Sequence, residues 1–289
     1  SGNQAPYTIT GSGPFTVVGP DGTDTVTDVE VLRFADTVVV SGTSGNDSFA
    51  VVKNGTNLDV VVNGVVSTTI PLSSTSLLVL NGGDGNDTFD IDIQAIPAGG
   101  ISVNGQGPTT GTGDSLVLSN SGANPTSVTH NFANASDGSV SIDGKVISYL
   151  GLEPIDDNLS TANRVFTFNG SAEDISVTLD GAGPNLLIDS TLGESVSFAQ
   201  PTSSLTITGS TGDTLSISTA VTVPTVALNV PTLTLSAPIT ASTALTGTAS
   251  VVNVNSGGRI QNGIDAAATS ATVNVGAGTY EELLYVNKD

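Results

Sequence analysis

The segment LNGGDGNDTFDID, residues 80–92, brings carboxylate side chains and glycines close together. Calcium binds about six to eight oxygen atoms, which come from carboxylates and from backbone carbonyls that tight turns expose. Glycines permit such turns, and the Asp and Asn side chains of this segment supply oxygens. One turn supplies only part of a shell, so a second turn, SGNDSF at residues 44–49, is expected to complete it. The predicted calcium ligands are Asp84, Asn86, Asp87, Asp90 and Asp47.

The same residue types also have a purely structural use. Asn or Asp after Gly forms a turn in which the side chain binds the backbone just ahead of a strand. The phrase recurs along the chain as GTDTV (22–26), GNDSF (45–49), GNDTF (85–89), TGDSL (112–116) and TGDTL (211–215). Each copy joins a turn, an Asp, a hydroxyl residue and an apolar residue, at irregular spacing. Turn formation without calcium is therefore the alternative.

Catalytic chemistry needs a base or a nucleophile beside these acids, and the sequence offers little of either. Two acid pairs could do acid–base work: Asp90 with Asp92, and Asp156 with Asp157. The basic residues near them, Lys53, Lys145 and Arg164, are isolated and are expected to be solvated. His130 has no Ser or Cys motif around it, and neither GxSxG nor HExxH occurs. The chain is therefore predicted not to be an enzyme.

The composition limits the partners and the location. Asp and Glu number 27 against six Lys and Arg, a formal net charge of -21. Such a chain repels nucleic acid, because binding phosphates requires basic residues. No run of 18 apolar residues occurs, so membrane insertion is not expected. Cations outside the cell screen acidic self-repulsion, which indicates a secreted or cell-surface protein. Because the sequence contains no Met, we expect a processed piece of a longer protein.

Between the turns, short apolar alternations end at Gly, Asn or Asp, as in SLLVLNG, TFDIDI, DISVTLDG and SLTITG. This period of two predicts strands of four to six residues. A helical period is found only in RIQNGIDAAATS, residues 259–270, with Ile260, Ile264 and Ala267 or Ala268 on one face. With Val, Ile, Leu, Thr and Ser dominant and few aromatics, the chain is predicted to be all-β.

Three segments resemble known families. GGDGNDTFD, residues 82–90, is similar to the calcium-binding nonapeptide of secreted repeats-in-toxin (haemolysin-type) proteins, and residues 22–40 resemble the segment that closes such calcium-binding blocks. Residues 257–289 look like the entry of a right-handed parallel β-helix of the pectin-lyase-like kind, in which a short helix plugs one end. Residues 104–217 are similar to stretches of large repetitive bacterial surface proteins. The resemblances imply secretion, calcium binding and a β-helix.

The predicted fold is a parallel β-helix, or β-solenoid, with one short capping helix, and the alternative is a series of tandem β-sandwich modules. The predicted regions are a degenerate calcium-repeat-like part at residues 1–100, a β-solenoid part at 101–256, and a capping helix with the start of a further β-helix at 257–289. A solenoid leaves unpaired backbone groups at its last strand, which another chain can pair with. We therefore expect a non-enzymatic structural protein of an extracellular filament or matrix that self-associates by sheet-edge or coil stacking. The alternative is an adhesin that binds glycan or another cell surface.

Overall fold

The chain divides into two compact units, residues 1–35 and 36–289. The computed structural model describes residues 8–10, 15–19, 22–26, 37–74, 76–107 and 113–286. In the first unit, β1 (Thr8–Thr10), β2 (Phe15–Gly19) and β3 (Gly22–Val26) form an antiparallel sheet in that order. Most of the predicted block-closing segment, at residues 27–36, lies outside the described residues.

The second unit consists mainly of short strands. In chain order they are β4 (Thr37–Ser41), β5 (Ser48–Asn54), β6 (Asn57–Val62), β7 (Val65–Pro71), β8 (Leu77–Gly83), β9 (Thr88–Asp92), β10 (Ile101–Gln106), β11 (Asp114–Ser119), β12 (Ser127–Phe132), β13 (Asp137–Ile142), β14 (Lys145–Leu150), β15 (Leu152–Asp157), β16 (Asn163–Phe168), β17 (Asp174–Leu179), β18 (Leu186–Ser190), β19 (Val196–Phe198), β20 (Ser204–Thr208), β21 (Thr214–Ile217), β22 (Val221–Thr222), β23 (Thr225–Asn229), β24 (Thr232–Leu235), β25 (Ile239–Thr240), β26 (Ala244–Gly247), β27 (Ala249–Val254) and β28 (Ala267–Val275). A 3₁₀ helix covers Ile93–Ala95, and the helix α1 covers Ile260–Ala266.

These strands form two long sheets. The ten-stranded sheet has the order β26-β23-β20-β16-β12-β13-β14-β10-β8-β4, and the thirteen-stranded sheet has the order β28-β27-β24-β21-β17-β18-β19-β15-β11-β9-β5-β6-β7. The chain passes repeatedly from one sheet to the other, as in β8 to β9, β10 to β11 and β20 to β21. A small third sheet pairs β22 with β25.

Most neighbouring strands are parallel and pair with the equivalent strand one passage later. Ser204 pairs with Thr225, and Thr225 pairs with Ala244, so one passage takes 21 and then 19 residues. Inward residues of these strands are buried and alternate with half-exposed Thr and Ser, as the period of two predicts.

Antiparallel hairpins interrupt the parallel order in three places, at β5–β6–β7, β12–β13–β14 and β17–β18–β19. Two of the connections are two-residue Asn-Gly or Asp-Gly turns. Asn63 and Gly64 have φ angles of 52° and 81°, and Asp143 and Gly144 have 47° and 86°. Positive φ at both positions suits a tight hairpin turn, which Asn-Gly and Asp-Gly adopt readily.

The core lies between the sheets and is aliphatic, with a few stacked rings. Phe49 and Phe89 stack at 4.8 Å between ring centroids, and both are fully buried. They occupy the same position in the repeated phrases GNDSF and GNDTF and are paired in register between β5 and β9. The repeated phrase thus places Phe89 next to Phe49 on neighbouring strands, and the stacked rings help to hold β5 and β9 together.

The predicted helix is present but shorter than the sequence pattern indicated. It ends at Ala266, and Ala267 is extended and begins β28. Its buried residues are Asn262, Gly263 and Ala266, whereas Ile260 and Ile264 are half-buried and Ile260 packs against the core. A Cβ on Gly263 would lie 2.7 Å from a methyl group of Val254, so the glycine allows the helix to lie directly on the core. The close contact of Gly263 with the core therefore determines which side of the helix is most deeply buried.

The protein is therefore all-β, with long multi-stranded sheets and, among the described residues, one short α-helix. The described part of the chain contains no helix with the length and apolar character needed to span a membrane. The predicted divisions at residues 100 and 256 stay predictions.

Candidate functional site

The predicted calcium loop forms the turn between β8 and β9 and stacks on the turn before β5. Gly83 and Gly85 have φ angles of 109° and 118°, which favour glycine. A Cβ on Gly83 would lie 2.1 Å from the carbonyl oxygen of Thr43. Both glycines are required for this close contact, so the turns of the two repeated phrases lie directly on each other.

Asp87 and Asp47 are brought together, but through a backbone contact. The N–H of Asp47 donates to Oδ1 of Asp87 at 2.7 Å. One strand further along the sheet, the N–H of Asp87 donates to Oδ1 of Asp114, also at 2.7 Å. All three residues are buried. We call Asp47, Asp87 and Asp114 the corner column. In it, the carboxylate of Asp87 accepts the backbone N–H of Asp47, and the carboxylate of Asp114 accepts the backbone N–H of Asp87.

Small residues make room for the corner column. A Cβ on Gly82 would lie 2.1 Å from Oδ2 of Asp87, and a Cβ on Gly105 would lie 2.3 Å from Oδ2 of Asp114. The same arrangement recurs much later in the chain, where the N–H of Glu173 donates to Oδ1 of Asp213 at 3.0 Å. In each of these contacts the Asp carboxylate accepts a backbone N–H just ahead of a strand. The glycines at 82 and 105 leave room for the carboxylates.

The carboxylate of Asp47 is occupied by protein donors. Oδ2 accepts the N–H of Thr43 at 2.5 Å and its hydroxyl at 2.9 Å, and Oδ1 accepts the side-chain amide of Asn63 at 2.5 Å. The Thr43 backbone hydrogen bond lowers the pKa of Asp47, helped by Asn63. Burial instead raises the pKa of Asp87 and of Asp114 above the ordinary value of an Asp. Oδ2 of Asp87 has no hydrogen-bond partner in the described part of the chain.

The other predicted ligands lie apart from this column. Asp84 is exposed, and Asp90 is exposed on the outward face of β9, where its Oδ1 accepts the hydroxyl of Ser119 at 2.6 Å. The backbone N–H of Asn86 donates to the side-chain oxygen of Asn46 at 3.0 Å. Among the described residues, no group of three or more Asp, Glu or His side chains is arranged to hold a metal ion. Calcium binding at this turn stays a prediction.

A buried acid that the sequence pattern did not single out lies further along the same side of the sheet. Glu194 is fully buried, and neither carboxylate oxygen has a hydrogen-bond partner in the described part of the chain. Burial, with the charges of Glu153 and Asp137, raises the pKa of Glu194 to about 9. The nearby hydroxyl of Tyr149 is also buried and unpartnered, and burial raises its pKa. Glu194 is therefore neutral at pH 7.

A second buried polar group joins the two long sheets. Nε2 of His130 lies 2.8 Å from Oδ2 of Asp157, and a guanidinium nitrogen of Arg164 donates to the same oxygen. Arg164 also donates to the carbonyl of Leu159 at 2.8 Å, and its guanidinium lies 5.4 Å from the ring centre of Phe198. The expectation that Arg164 is solvated is wrong, because its side chain is fully buried.

The electrostatics of this group favour one charged pair with a neutral imidazole. Burial lowers the pKa of Arg164 to about 9, which still leaves it charged at neutral pH beside Asp157. Burial, with the charge of Arg164, lowers the pKa of His130 well below its ordinary value. All three side chains are inaccessible to solvent, so a substrate cannot reach them. The group therefore has a structural use.

The last strand, β28, lies at an edge of the thirteen-stranded sheet. β28 pairs with β27 on one side and is the edge of its sheet on the other. After β28 the chain returns past the start of α1, where the Glu282 carboxylate accepts the N–H of Ile260 at 2.6 Å and of Gln261 at 3.1 Å. The amide of Gln261 also binds the backbone of Tyr285, through a donated bond at 3.1 Å and an accepted bond at 2.7 Å. These contacts hold the final segment against the helix.

Comparisons of the chain with protein-family models, with curated proteins and with solved structures gave no match.

Proposed function

We propose that residues 37–286 form a parallel β-solenoid and that the protein is a structural component of an extracellular filament or matrix. The solenoid is supported by the in-register parallel pairs, β20 with β23 and β21 with β24, on two sheets that the chain visits in turn. Tandem β-sandwich modules are less well supported, because their sheets are antiparallel. The small number of aromatic residues also suits a fold that stacks aliphatic side chains.

The observation that carries the structural function is the free edge of β28. Its four residues Thr272–Val275 pair regularly with β27, and their other side pairs with nothing in the described part of the chain. Free strand edges bind further strands through backbone hydrogen bonds. Exposed apolar side chains also occur in the final segment, where Leu283 is 72% exposed and Val286 is 77% exposed. An open strand edge and exposed apolar side chains both favour self-association.

The net charge of -21 supports an extracellular location, where cations screen repulsion between copies. The same charge argues against nucleic acid as a partner. The enclosure of His130, Asp157 and Arg164 supports a function without catalysis, because these groups are out of reach of a substrate.

An adhesin is the second candidate, and one feature favours it. A groove of about 550 Å³ lies beside the start of α1 and the final segment. Arg259, Tyr280 and Glu281 line it, and they supply the ring and the polar groups that a glycan would contact. Binding of soluble glycans by the intact protein, and its loss in the variant Tyr280→Ala, would support this candidate over the filament.

The filament proposal is tested by removing the open edge. The intact protein and a variant that lacks residues 273–289 are compared by negative-stain electron microscopy and by light scattering. We expect filaments or oligomers of the intact protein and their loss in the truncated protein. Melting curves by circular dichroism control for folding. Assemblies that persist unchanged after truncation, or an intact protein that forms none, would overturn the proposal.

A further inference from the structure

The two edges of the thirteen-stranded sheet run in the same direction. The edges are β28 and β7. Between them lie four antiparallel pairs, β17–β18, β18–β19, β5–β6 and β6–β7, and all other pairs are parallel. An even number of reversals restores the starting direction. A β28 strand placed beside a β7 strand of a second copy would therefore continue the sheet in parallel.

Both edges lack charged side chains, which are one of the features that prevent edge pairing in natural sheets. The sequences VVSTTIP of β7 and AATSATVNV of β28 contain no charged residue, although the chain has 33 Asp, Glu, Lys and Arg in total, from 27 acids and six bases. Pro71 stands only at the last position of β7.

Irregular pairing leaves windows of equal length on the two edges. In β7, Val60 pairs with Thr68 but Val61 pairs with Val66, so Ser67 forms a bulge and the regular part is residues 68–71. In β28, the register shifts between Ala267 and Thr272, and the regular part is residues 272–275. With Val275 beside Ile70, Val273–Val275 lie beside the three regular residues Thr68–Ile70, and Thr272 lies beside the bulged Ser67.

The faces of these windows also match. Ile70 is buried and Thr69 is exposed. In β28, Val273 and Val275 follow Val252 and Val254 of β27 in register and continue their inward columns, whereas Asn274 follows the outward Asn253. Placing Val275 beside Ile70 sets Asn274 beside Thr69, so apolar groups face the core and polar groups face solvent. Val275, which is 48% exposed in the single chain, would then be covered.

The ten-stranded sheet cannot offer the same contact at this end. Its edge strand β26 lies under α1, and a Cβ on Gly247 of that strand would lie 2.3 Å from the carbonyl oxygen of Ala266. The helix packs on strands of both sheets, but the outer backbone edge of β28 pairs with no strand in the described part of the chain, which directs association to β28.

From this geometry we infer that β28 of one copy pairs in parallel with β7 of a second copy of the chain. The inference rests on the proposed filament function and names its contact surfaces. Because the two edges are different surfaces, the contact is head to tail, and repetition gives an open-ended filament with polarity.

Disulfide trapping in the full-length chain tests the contact, since the sequence contains no Cys. Two single-cysteine variants, Thr69→Cys and Asn274→Cys, are mixed under mild oxidation. Neighbouring strands lie about 4.8 Å apart, and Cα atoms about 4.4 to 6.8 Å apart can be bridged. The matched control pairs Asn274→Cys with Val146→Cys, which is exposed in the middle of the other sheet. Thr272→Cys with Thr69→Cys examines the register shifted by two residues.

We expect a covalent dimer from Asn274→Cys with Thr69→Cys, or from Thr272→Cys with Thr69→Cys, and severalfold less from the control pair. Equal yields from edge and control pairs would overturn the inference. If particles form in the microscope while neither edge pair cross-links, the filament proposal stands and the β28–β7 contact is wrong. If the wild-type chain forms no particles and no edge pair cross-links, both are wrong. Each variant is accepted only with a wild-type melting temperature.

Discussion

The backbone N–H of Asp87 donates to Oδ1 of Asp114 at 2.7 Å, although the two residues are 27 positions apart in the sequence. The relationship repeats between Asp47 and Asp87, 40 positions apart, at the same distance. A buried N–H without an acceptor destabilises the folded state, and a charged acceptor forms a stronger hydrogen bond than a neutral one. The corner column therefore ties successive turns to one another.

Replacing Asp87 by Ala tests this column. The variant leaves the N–H of Asp47 buried without its acceptor, so we expect a loss of about 1–3 kcal/mol in the free energy of unfolding. The control is Asp84→Ala, whose side chain is exposed in the same turn, with an expected change within about 0.5 kcal/mol. Both are measured by denaturant unfolding. Equal losses in the two variants would contradict the structural use of the column.

Gly82→Ala tests the close packing that the column requires. The new Cβ would lie 2.1 Å from Oδ2 of Asp87 and 2.7 Å from the carbonyl of Gly105, so strands or side chains must move. Overpacking of this kind costs about 1–3 kcal/mol. Gly107→Ala is the control, because a Cβ there meets no atom within 4 Å in the described part of the chain. Equal melting temperatures of the Gly82→Ala and Gly107→Ala proteins would show that the turn accommodates the added methyl group without loss of stability.

The raised pKa of Glu194 predicts that the stability of the folded protein depends on pH. Its pKa in the folded protein, about 9, lies above the ordinary 4.5, so the protonated form is favoured by folding. The resulting stability is present below pH 4.5 and is lost progressively as the pH rises to about 9. At about 1.4 kcal/mol per pKa unit, the loss between pH 5 and pH 7 is roughly 3 kcal/mol. The variant Glu194→Gln stays neutral, so its stability is expected to change less over this range.

The measurement is denaturant unfolding at several pH values, with Glu281→Gln as the matched control. Glu281 is exposed, so that variant is expected to follow the wild-type pH dependence. Parallel curves for wild type and Glu194→Gln would mean that Glu194 ionises normally in the folded protein.

Much of the fold was predictable because the sequence pattern of a strand spans only a few neighbouring residues. Alternating apolar residues and terminal Gly, Asn or Asp marked many of the strands, such as β8, β9, β17 and β20, and the neighbourhood of Asp47 and Asp87 followed from the repeated phrase. None of the three antiparallel hairpins, β5–β6–β7, β12–β13–β14 and β17–β18–β19, was predicted, since pairing partners depend on contacts between distant segments. The local signal for the antiparallel direction of these strands is a short turn such as Asp143–Gly144.

The buried polar groups were missed although the sequence carries a signal for them. Arg164 is in phase with Phe166 and Phe168 on the inward face of β16, and His130 is in phase with Phe132 on β12. Glu194 precedes Val196 and stands in phase with it. A polar residue at an inward position of an alternating strand predicts a buried partner. The partner itself, such as Asp157 for Arg164, comes from the other sheet and is not visible locally.

Calcium binding at the turn 82–90 can be tested by melting. If the prediction holds, millimolar Ca²⁺ raises the melting temperature relative to an EDTA control, since ligand at a hundred times its dissociation constant stabilises by about 2.7 kcal/mol. Asp84→Ala should reduce this rise while it leaves the melting temperature in EDTA unchanged, because Asp84 is exposed. If calcium does not change the wild-type melting temperature, the calcium prediction is wrong, and the Asp residues of this turn serve only to accept backbone hydrogen bonds.

The pair Asp157 and Arg164 predicts a strong coupling between two substitutions. Asp157→Leu leaves the buried guanidinium of Arg164 without its carboxylate, and breaking a buried ion pair in this way costs about 3–5 kcal/mol. The double variant Asp157→Leu with Arg164→Met removes both charges and replaces them with apolar groups, so it is expected to be more stable than the single variant. Denaturant unfolding of the wild type, both single variants and the double variant gives the coupling energy. Additive losses would mean that the two side chains do not depend on each other, and that the sheets are joined here by apolar packing around Phe198 instead.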